Sequence, residues 1–292
     1  MVNEQMRTQW TNNAGPGWVA HHDVFEAVLA PFNHAVIDAI GPLEGLRVLD
    51  VGCGTGSLSQ LVIDAGGTAV GADISESMVA GARRLVPGAR FEVADGQTAP
   101  LAELADGGFD RVVSRFGVMF FEGSAAAFAN IRAATKPGGR MAFLCWRSRE
   151  ENPMFTCGVR LVADRLPPPP EPPAPDAPGP VAFADPQRVH RVLEQAGWSD
   201  IAVESFDAMC VFGRDGSDGV EERMTMLMAT QVGSDAAAQL IPDIGEAGWA
   251  DLLDEVRADL RTTMVDGVVA FPGRTWLVTA SEGAASSCAG SS

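Results

Sequence analysis

The stretch Val48-Leu49-Asp50-Val51-Gly52-Cys53-Gly54-Thr55-Gly56 decides the fold class of this chain. Its apolar residues predict a short strand, and three glycines with one residue between each follow. Glycine reaches positive φ angles without steric cost and lets the backbone approach a ligand closely. A helix that begins after such a turn offers free N–H groups in its first turn. The stretch therefore predicts a ligand site between a strand and a helix.

The spacing of the glycines separates the possible ligands. A dinucleotide fingerprint, G-x-G-x-x-G, requires glycine at position 57, where this chain has Ser57. A phosphate-binding loop requires Gly-Lys followed by Ser or Thr, and that tripeptide does not occur in the sequence. An oxidoreductase that uses NAD and a P-loop enzyme are therefore both disfavoured.

Short apolar runs alternate with helical patterns from residue 46 onward. Strands are predicted at 47–51, 68–73, 90–95, 109–116 and 140–146, with helices between most of them. Such alternation is typical of βαβ units and a parallel sheet. Two later strands, 201–212 and 268–280, complete seven strands, and a helical insertion at 219–264 separates these two.

Two further acidic residues stand at the ends of predicted strands. Asp73 ends the second strand, and Asp95 ends the third and precedes Gly96. A carboxylate in such a place can accept hydrogen bonds from both hydroxyls of a ribose. Each aspartate alone could equally be a helix cap or a turn residue. Their register with Asp50 and the glycine turn favours a single site.

Residues 46–146 resemble the class I S-adenosylmethionine-dependent methyltransferases. The glycine turn, the three aspartates and the Pro137-Gly138-Gly139 turn carry the resemblance. In layout the chain looks like small-molecule enzymes similar to the ubiquinone and menaquinone biosynthesis methyltransferases. The resemblance implies an α/β fold: a Rossmann-like, doubly wound, mostly parallel sheet of seven strands with an antiparallel last strand. It also implies S-adenosylmethionine as the co-substrate.

The resemblance further implies where the methyl donor binds. Asp73 would accept from the ribose hydroxyls, and Asp95 would accept from the adenine amino group, with the Gly96 N–H facing a ring nitrogen. Ile74 and Met78 would cover the faces of the adenine. The implied donor-binding residues are Asp50, Gly52, Gly54, Gly56, Asp73, Ile74, Met78, Asp95, Gly96, Arg115 and Trp18.

The chain is predicted to consist of five consecutive parts. They are an N-terminal helical lid (1–45), the donor-binding core (46–148), a Pro-rich connection (149–185), the C-terminal half of the core with its insertion (186–280) and a disordered tail (281–292). Nine of the 19 prolines lie between positions 167 and 180, which favours an extended connection over a docking motif.

Two local patterns describe the predicted lid. Pro31 is expected to open a second helix at its first position, and Gly15-Pro16-Gly17 is expected to be a flexible turn between Trp10 and Trp18. The first 22 residues show little continuous apolar periodicity. We therefore expect this segment to be mobile without a donor and to order over a bound one.

The acceptor side has three candidate residues, His22, His21 and Arg115. Either histidine could serve as a general base or pack within the lid. Arg115 could bind a carboxylate of the substrate or hold backbone carbonyls of the lid. The cluster Met224, Met226, Leu227 and Met228 could roof an apolar substrate or belong to a helix core.

The composition of the chain restricts the kinds of molecule that it is expected to bind. Twenty-one basic and 38 acidic residues give a net charge of −17, which disfavours nucleic acid as a partner. No apolar run reaches the ~18 residues of a membrane helix, and no signal-peptide pattern is present, so a cytoplasmic location is expected. Four histidines and five scattered cysteines lack ligand spacing, so no metal site is predicted. The oligomeric state is left open.

Methyl transfer to a small, apolar or aromatic acceptor at oxygen, nitrogen or carbon is the predicted function. The acceptor attacks the sulfonium carbon in line, so the protein mainly positions the reactants and excludes water. The alternative is a protein that binds S-adenosylmethionine without catalysis, because a fold of this kind does not by itself fix function.

Overall fold

The glycine-rich stretch joins the first strand of a mixed sheet to a helix. The computed structural model describes residues 2–167, 174 and 177–283. In chain order the strands are β1 (Arg47–Val51), β2 (Thr68–Asp73), β3 (Arg90–Val93), β4 (Phe109–Arg115), β5 (Thr135–Trp146), β6 (Ser199–Val211), β7 (Met264–Val265) and β8 (Val268–Ser281).

The sheet has the predicted topology with one addition. Its order is β3-β2-β1-β4-β5-β8-β6, and β7 pairs with β8 beside this path. Strands β1 to β5 pair in parallel, whereas β8 is antiparallel to both of its neighbours β5 and β6. The predicted Rossmann-like sheet with an antiparallel last strand is confirmed. The additional strand is β7, a two-residue hairpin arm that pairs with the start of β8 and that no sequence pattern marks.

Ten helices accompany the strands in the described part of the chain. They are α1 (Glu4–Thr8), α2 (Ala14–Ala20), α3 (His22–Ile40), α4 (Ser57–Asp64), α5 (Glu76–Leu85), α6 (Ser124–Ala133), α7 (Val159–Ala163), α8 (Pro186–Gln195), α9 (Val220–Met228) and α10 (Gln231–Arg261). A π-helical turn, Gln9–Asn13, links α1 to α2.

The core lies on both faces of the sheet. Every residue from Met141 to Trp146 in β5 is buried, although successive side chains of a strand point to opposite faces. Such a strand needs apolar cover on both sides. Helix α3 packs on β4, β5 and β6, and α6 packs on β5 and α8.

The N-terminal segment is more helical than its sequence predicts. The expectation that Pro31 opens a second helix is wrong, because α3 runs without interruption from His22 to Ile40. Proline removes one hydrogen bond from a helix interior. The buried face on both sides of Pro31 still holds one helix together; its members are Phe25, Val28, Leu29, Phe32 and Val36.

The Gly15-Pro16-Gly17 turn is also corrected. These residues lie in the first turns of α2, where the missing N–H of Pro16 costs nothing. A Cβ on Gly15 would stand 1.9 Å from the Trp10 carbonyl oxygen, and one on Gly17 would stand 3.0 Å from Ala229. The glycines therefore serve close packing rather than a hinge.

The C-terminal half carries two helices between its two long strands, β6 and β8. Helices α9 and α10 form the insertion before β8, and α10 kinks at Gly245, where φ is 70°. Most of the predicted proline-rich stretch, 168–173 with 175 and 176, and the tail from 284 onward lie outside the described residues. None of the helices described here combines the length and apolar character needed to cross a membrane.

Replacing Pro31 by alanine tests the continuity of α3. Pro31 is exposed and lies inside a helix, where proline is ~3 kcal/mol less favourable than alanine. Proline also stiffens the unfolded wild-type chain, and this stabilisation of the wild type offsets ~0.4–1 kcal/mol of the gain expected from the substitution. We expect Pro31→Ala to raise the free energy of unfolding by about 2 kcal/mol in urea denaturation.

Pro186→Ala is the matched control, because Pro186 is the first residue of α8, where proline is well tolerated. This variant should gain no stability. An equal effect of the two substitutions would contradict a helix that continues through Pro31.

Candidate active site

The glycine turn has backbone angles that only glycine adopts freely. Gly52, Gly54 and Gly56 have φ values of 65°, 53° and 92°, in the left-handed region. Two of them also meet neighbouring groups closely: a Cβ on Gly52 would stand 2.7 Å from Gly117 Cα, and one on Gly56 would stand 2.8 Å from the Phe91 ring. The spacing of the three glycines thus reflects both torsion angles and contacts.

The three predicted carboxyl groups converge on one cavity at the carboxyl ends of the strands. Asp50 is buried and accepts a hydrogen bond from Ser59 Oγ at 2.7 Å. Asp73 accepts from the backbone N–H of Gly54 at Oδ2 and of Ser75 at Oδ1, both at 2.9 Å. The three carboxyl groups converge because β1 pairs with β2, and β2 with β3, in parallel. The carboxyl ends of these strands therefore lie at the same edge of the sheet.

Burial makes this cavity reluctant to hold negative charge. Burial raises the pKa of Asp50 to about 7, although the Ser59 hydrogen bond and the Arg115 charge oppose the rise. Burial also raises the pKa of Asp73, against the hydrogen bonds from Ser75 and Gly54. A cation brought close to these groups would favour their ionised forms.

The structure places most of the predicted donor residues around the same cavity. The predicted residues that line it are Trp18, Asp50, Gly52, Gly54, Asp73, Ile74, Met78, Asp95, Gly96 and Arg115. Gly56 lies behind the turn against Phe91. Among the described residues, no three His, Cys, Asp or Glu side chains stand close enough to hold a metal ion.

Other residues around the cavity carry no signal in the sequence. Asn3 and Met6 reach it from the N-terminal segment, and Phe120 and Phe121 from the loop after β4. Thr55, a residue of the glycine turn, also lines it. These residues come together only through contacts between distant parts of the chain, which no local pattern marks.

The two histidines face different surroundings. His22 Nδ1 lies 2.9 Å from Thr55 Oγ1, which places the ring beside the glycine turn. His21 is exposed and borders a second cavity together with Met224 and Met228. His22 thus contacts Thr55, a residue that lines this cavity, whereas His21 borders the second one.

The methionine cluster divides between the two functions considered for it. Met224 and Met228, four residues apart on α9, border the second cavity, because residues at this spacing share one helix face. Met224, Met226 and Leu227 are all buried, and Met228 packs partly buried against the same core. The cluster therefore belongs mainly to the packing of the insertion, with Met224 and Met228 also bordering the second cavity.

Arg115 has partners that the sequence did not predict. Its guanidinium donates to both carboxylate oxygens of Glu26 at 2.9 Å and to Asn33 Oδ1 at 2.8 Å. Both partners lie on α3. The expectation that Arg115 binds a substrate carboxylate or lid backbone carbonyls is therefore corrected: its fork of donors is used to fix α3 to the end of β4.

This ion pair is largely buried, with side chains 12% exposed for Arg115 and 16% for Glu26. Burial alone would raise the pKa of Glu26, but the charge and hydrogen bonds of Arg115 outweigh it and lower the pKa from 4.5 to about 2. The pair therefore stabilises the fold fully above pH 4.5, and its contribution is lost as the pH falls toward 2.

We expect Glu26→Gln to lower the free energy of unfolding at pH 7 by about 3 kcal/mol, since it leaves a buried guanidinium without its counter-charge. The difference in free energy of unfolding between Glu26→Gln and wild type should become smaller as the pH falls from 4.5 to 2, because Glu26 of the wild type is then protonated too. Denaturant titrations across this range measure it, with Glu246→Gln on the exposed face of α10 as the control. A gap independent of pH would contradict the ion pair.

Comparison with known proteins agrees with this geometry. Residues 48–139 match a family described as a methyltransferase domain. The chain is 30% identical over 171 residues to a demethylmenaquinone methyltransferase of Corynebacterium kroppenstedtii, covering 56% of this chain and 72% of that protein. A protein of the same name from Renibacterium salmoninarum is 29% identical over 179 residues, covering 59% of this chain and 74% of the relative.

Solved structures agree on the fold. A putative methyltransferase from Bacillus halodurans superposes with a TM-score of 0.53 at 17% identity, covering 86% of this chain and 98% of the other. The YcgJ protein from Bacillus subtilis gives 0.56 at 15% identity, covering 88% and 100%. These structures show the fold, and the similarity to the demethylmenaquinone methyltransferases establishes that the chain belongs to the class I S-adenosylmethionine-dependent methyltransferases and is an enzyme.

Proposed function

We propose that this enzyme transfers the methyl group of S-adenosylmethionine to a small, apolar or aromatic acceptor at oxygen, nitrogen or carbon. One observation carries the proposal. A single cavity joins the acidic ends of β1, β2 and β3 to a set of aromatic side chains from the N-terminal segment and the loop after β4. The acidic part suits the donor, and the aromatic part suits such an acceptor.

The charge of the cavity favours a sulfonium over a dinucleotide. Arg115 is the one cationic side chain among the described residues that line the cavity, and Glu26 neutralises it. The acidic side chains among the described lining residues are Asp50, Asp73 and Asp95. Burial raises the pKa of Asp50 and Asp73, and a positive sulfonium would favour their ionised forms and be attracted to them, whereas a pyrophosphate would meet no unneutralised cation among the described lining residues. After transfer the sulfur is neutral, and the weaker attraction favours release of the product.

Asp73 has the free acceptor capacity that a ribose needs. Each of its carboxylate oxygens accepts one backbone N–H, from Ser75 and from Gly54. A carboxylate offers roughly four lone-pair sites, so about one site on each oxygen is left. Two vicinal hydroxyls match two such sites. Ile74 and Met78 border the same cavity and would cover the adenine.

Aromatic rings border the part of the cavity near Arg115. Phe116 stacks on Trp146 with ring centres 4.1 Å apart and planes 8° apart, and Trp18 stacks on Phe25 at 3.8 Å. Phe116 has a φ of 60°, a strained conformation for a bulky residue that costs ~1–3 kcal/mol. Flat rings held in this way favour a planar or apolar acceptor. The relatives named for demethylmenaquinone support a small molecule.

His22 is the general base that the geometry favours. In the transfer, an electron pair of the acceptor (a lone pair on oxygen or nitrogen, or a π pair on carbon) forms a bond to the methyl carbon as the carbon–sulfur bond breaks and its electrons pass to sulfur. An acceptor that loses a proton during this step needs a base. Thr55 Oγ1 lies 2.9 Å from Nδ1 of His22 and orients the ring. When Nδ1 carries the hydrogen, Nε2 is free to take the proton.

We expect Asp73→Ala to weaken binding of S-adenosylhomocysteine, the demethylated product, by ~1.5–3 kcal/mol, the range for hydrogen bonds to a charged group. Isothermal titration calorimetry measures the change. Asp64→Ala, at an exposed position of α4, is the control and should bind as wild type does. Unchanged affinity of Asp73→Ala would remove Asp73 from the donor site.

We expect His22→Gln to lower turnover of an acceptor that loses a proton by about 100-fold or more, the usual contribution of a general base. Affinity for the demethylated product should not change. Turnover is followed by formation of that product with candidate planar acceptors, in the presence of a chelator, which should have no effect. His190→Gln, on α8, is the control. Full turnover by His22→Gln would assign this histidine to packing.

A further inference from the structure

Asn3 is buried in the donor cavity although it lies near the start of the chain. Its side chain is 2% exposed, and its backbone has a φ of 57°. Nδ2 donates to Asp95 Oδ1 at 2.9 Å and to Oδ2 at 3.1 Å. Oδ1 of Asn3 accepts the backbone N–H of Glu122 at 2.9 Å. Nδ2 also donates to Gln97 Oε1 at 3.2 Å, so the carboxamide is held by both of its polar atoms.

The hydrogen bonds of Asp95 leave no room for another donor. Its Oδ1 accepts from Asn3 Nδ2 and from the Gln97 N–H at 2.9 Å. Its Oδ2 accepts from Asn3 Nδ2 and from Thr98 Oγ1 at 2.9 Å. These four contacts use the roughly four lone-pair sites of a carboxylate. Asp73, by contrast, accepts one backbone N–H at each oxygen.

The carboxamide of Asn3 has the same hydrogen-bonding pattern as one edge of adenine. A primary amide presents an N–H donor beside a carbonyl acceptor, and adenine presents its 6-amino group beside the ring nitrogen N1. Asp95 receives the donor, and the Glu122 N–H meets the acceptor. Gly96, the other residue proposed to face the adenine, lines the same cavity.

We infer that Asn3 occupies the adenine subsite as an internal competitor, so that the methyl donor must displace its carboxamide from Asp95 in order to bind. The inference rests on the proposed donor site, in which Asp95 receives the adenine amino group. It makes Asn3 a residue that sets donor affinity, although it makes no contact with the reacting atoms.

Release of Asn3 can stay local. Helix α1, which follows it, has five residues, of which one, Met6, is buried. Further along, the segment is held independently: Ser75 Oγ donates to the Trp10 carbonyl oxygen at 2.9 Å, and Trp18 stacks on Phe25. Residues 2–8 can therefore withdraw while residues 14–20 stay over the cavity. The expected ordering over the donor applies to this second part only.

Titration calorimetry with S-adenosylhomocysteine tests the inference. Asn3→Ala removes the competing amide, and Asn3→Asp places a like charge beside Asp95. We expect both to bind the product about tenfold more tightly than wild type, the lower end of the range for hydrogen bonds to a charged group. Asn12→Ala, at an exposed position of the same segment, should leave the affinity unchanged.

Hydrogen exchange on the wild-type protein gives a second readout. Addition of the product should reduce the protection of amides in residues 4–8 and increase it in residues 14–20. Equal or weaker product binding by Asn3→Ala, or increased protection of residues 4–8, would overturn the inference while leaving the donor site intact. Failure of wild type and every variant to bind the product would instead overturn the proposed donor site itself.

Discussion

The bidentate ion pair between Arg115 and Glu26 is the contact on which the arrangement of the site depends. Arg115 ends the central strand β4, next to the buried Asp50, and its guanidinium would be a costly charge there without a partner. Glu26 supplies that partner from α3. In doing so it fixes the helix that carries His22 and Phe25, and hence the ring on which Trp18 stacks. This one interaction thus fixes His22 and the stacked rings of Trp18 and Phe25 beside the acidic ends of the strands.

The sequence predicts those parts of the site that are encoded locally. The turn from Gly52 to Gly56 can be predicted from the sequence, because positive φ values and close contacts require glycine at fixed intervals there. The position of Asp73 in the site can be predicted because Asp73 ends β2, which pairs in parallel with β1 and so ends at the same edge of the sheet. The fold class follows from the same alternation of strands and helices.

What the sequence does not predict is decided by contacts across long separations. Glu26 lies 89 residues from Arg115, and Asn3 lies 92 residues from Asp95, so no periodicity relates either pair. The continuity of α3 through Pro31 is likewise decided by packing, because burial of one helix face outweighs the local preference of proline. Local signals therefore mark the glycine turn and the acidic strand ends, but not the side chains that come from distant parts of the chain to cover the cavity.

The insertion stands apart from the donor cavity in a way that bears on how such enzymes diverge. Among the described residues, none that lines the donor cavity comes from α9 or α10. These helices nonetheless meet the N-terminal segment, with Ala229 close against Gly17. Substitutions in the insertion can therefore reshape the second cavity, and through α2 the surroundings of Trp18, without touching the acidic strand ends. The two sides of the molecule can change independently of each other.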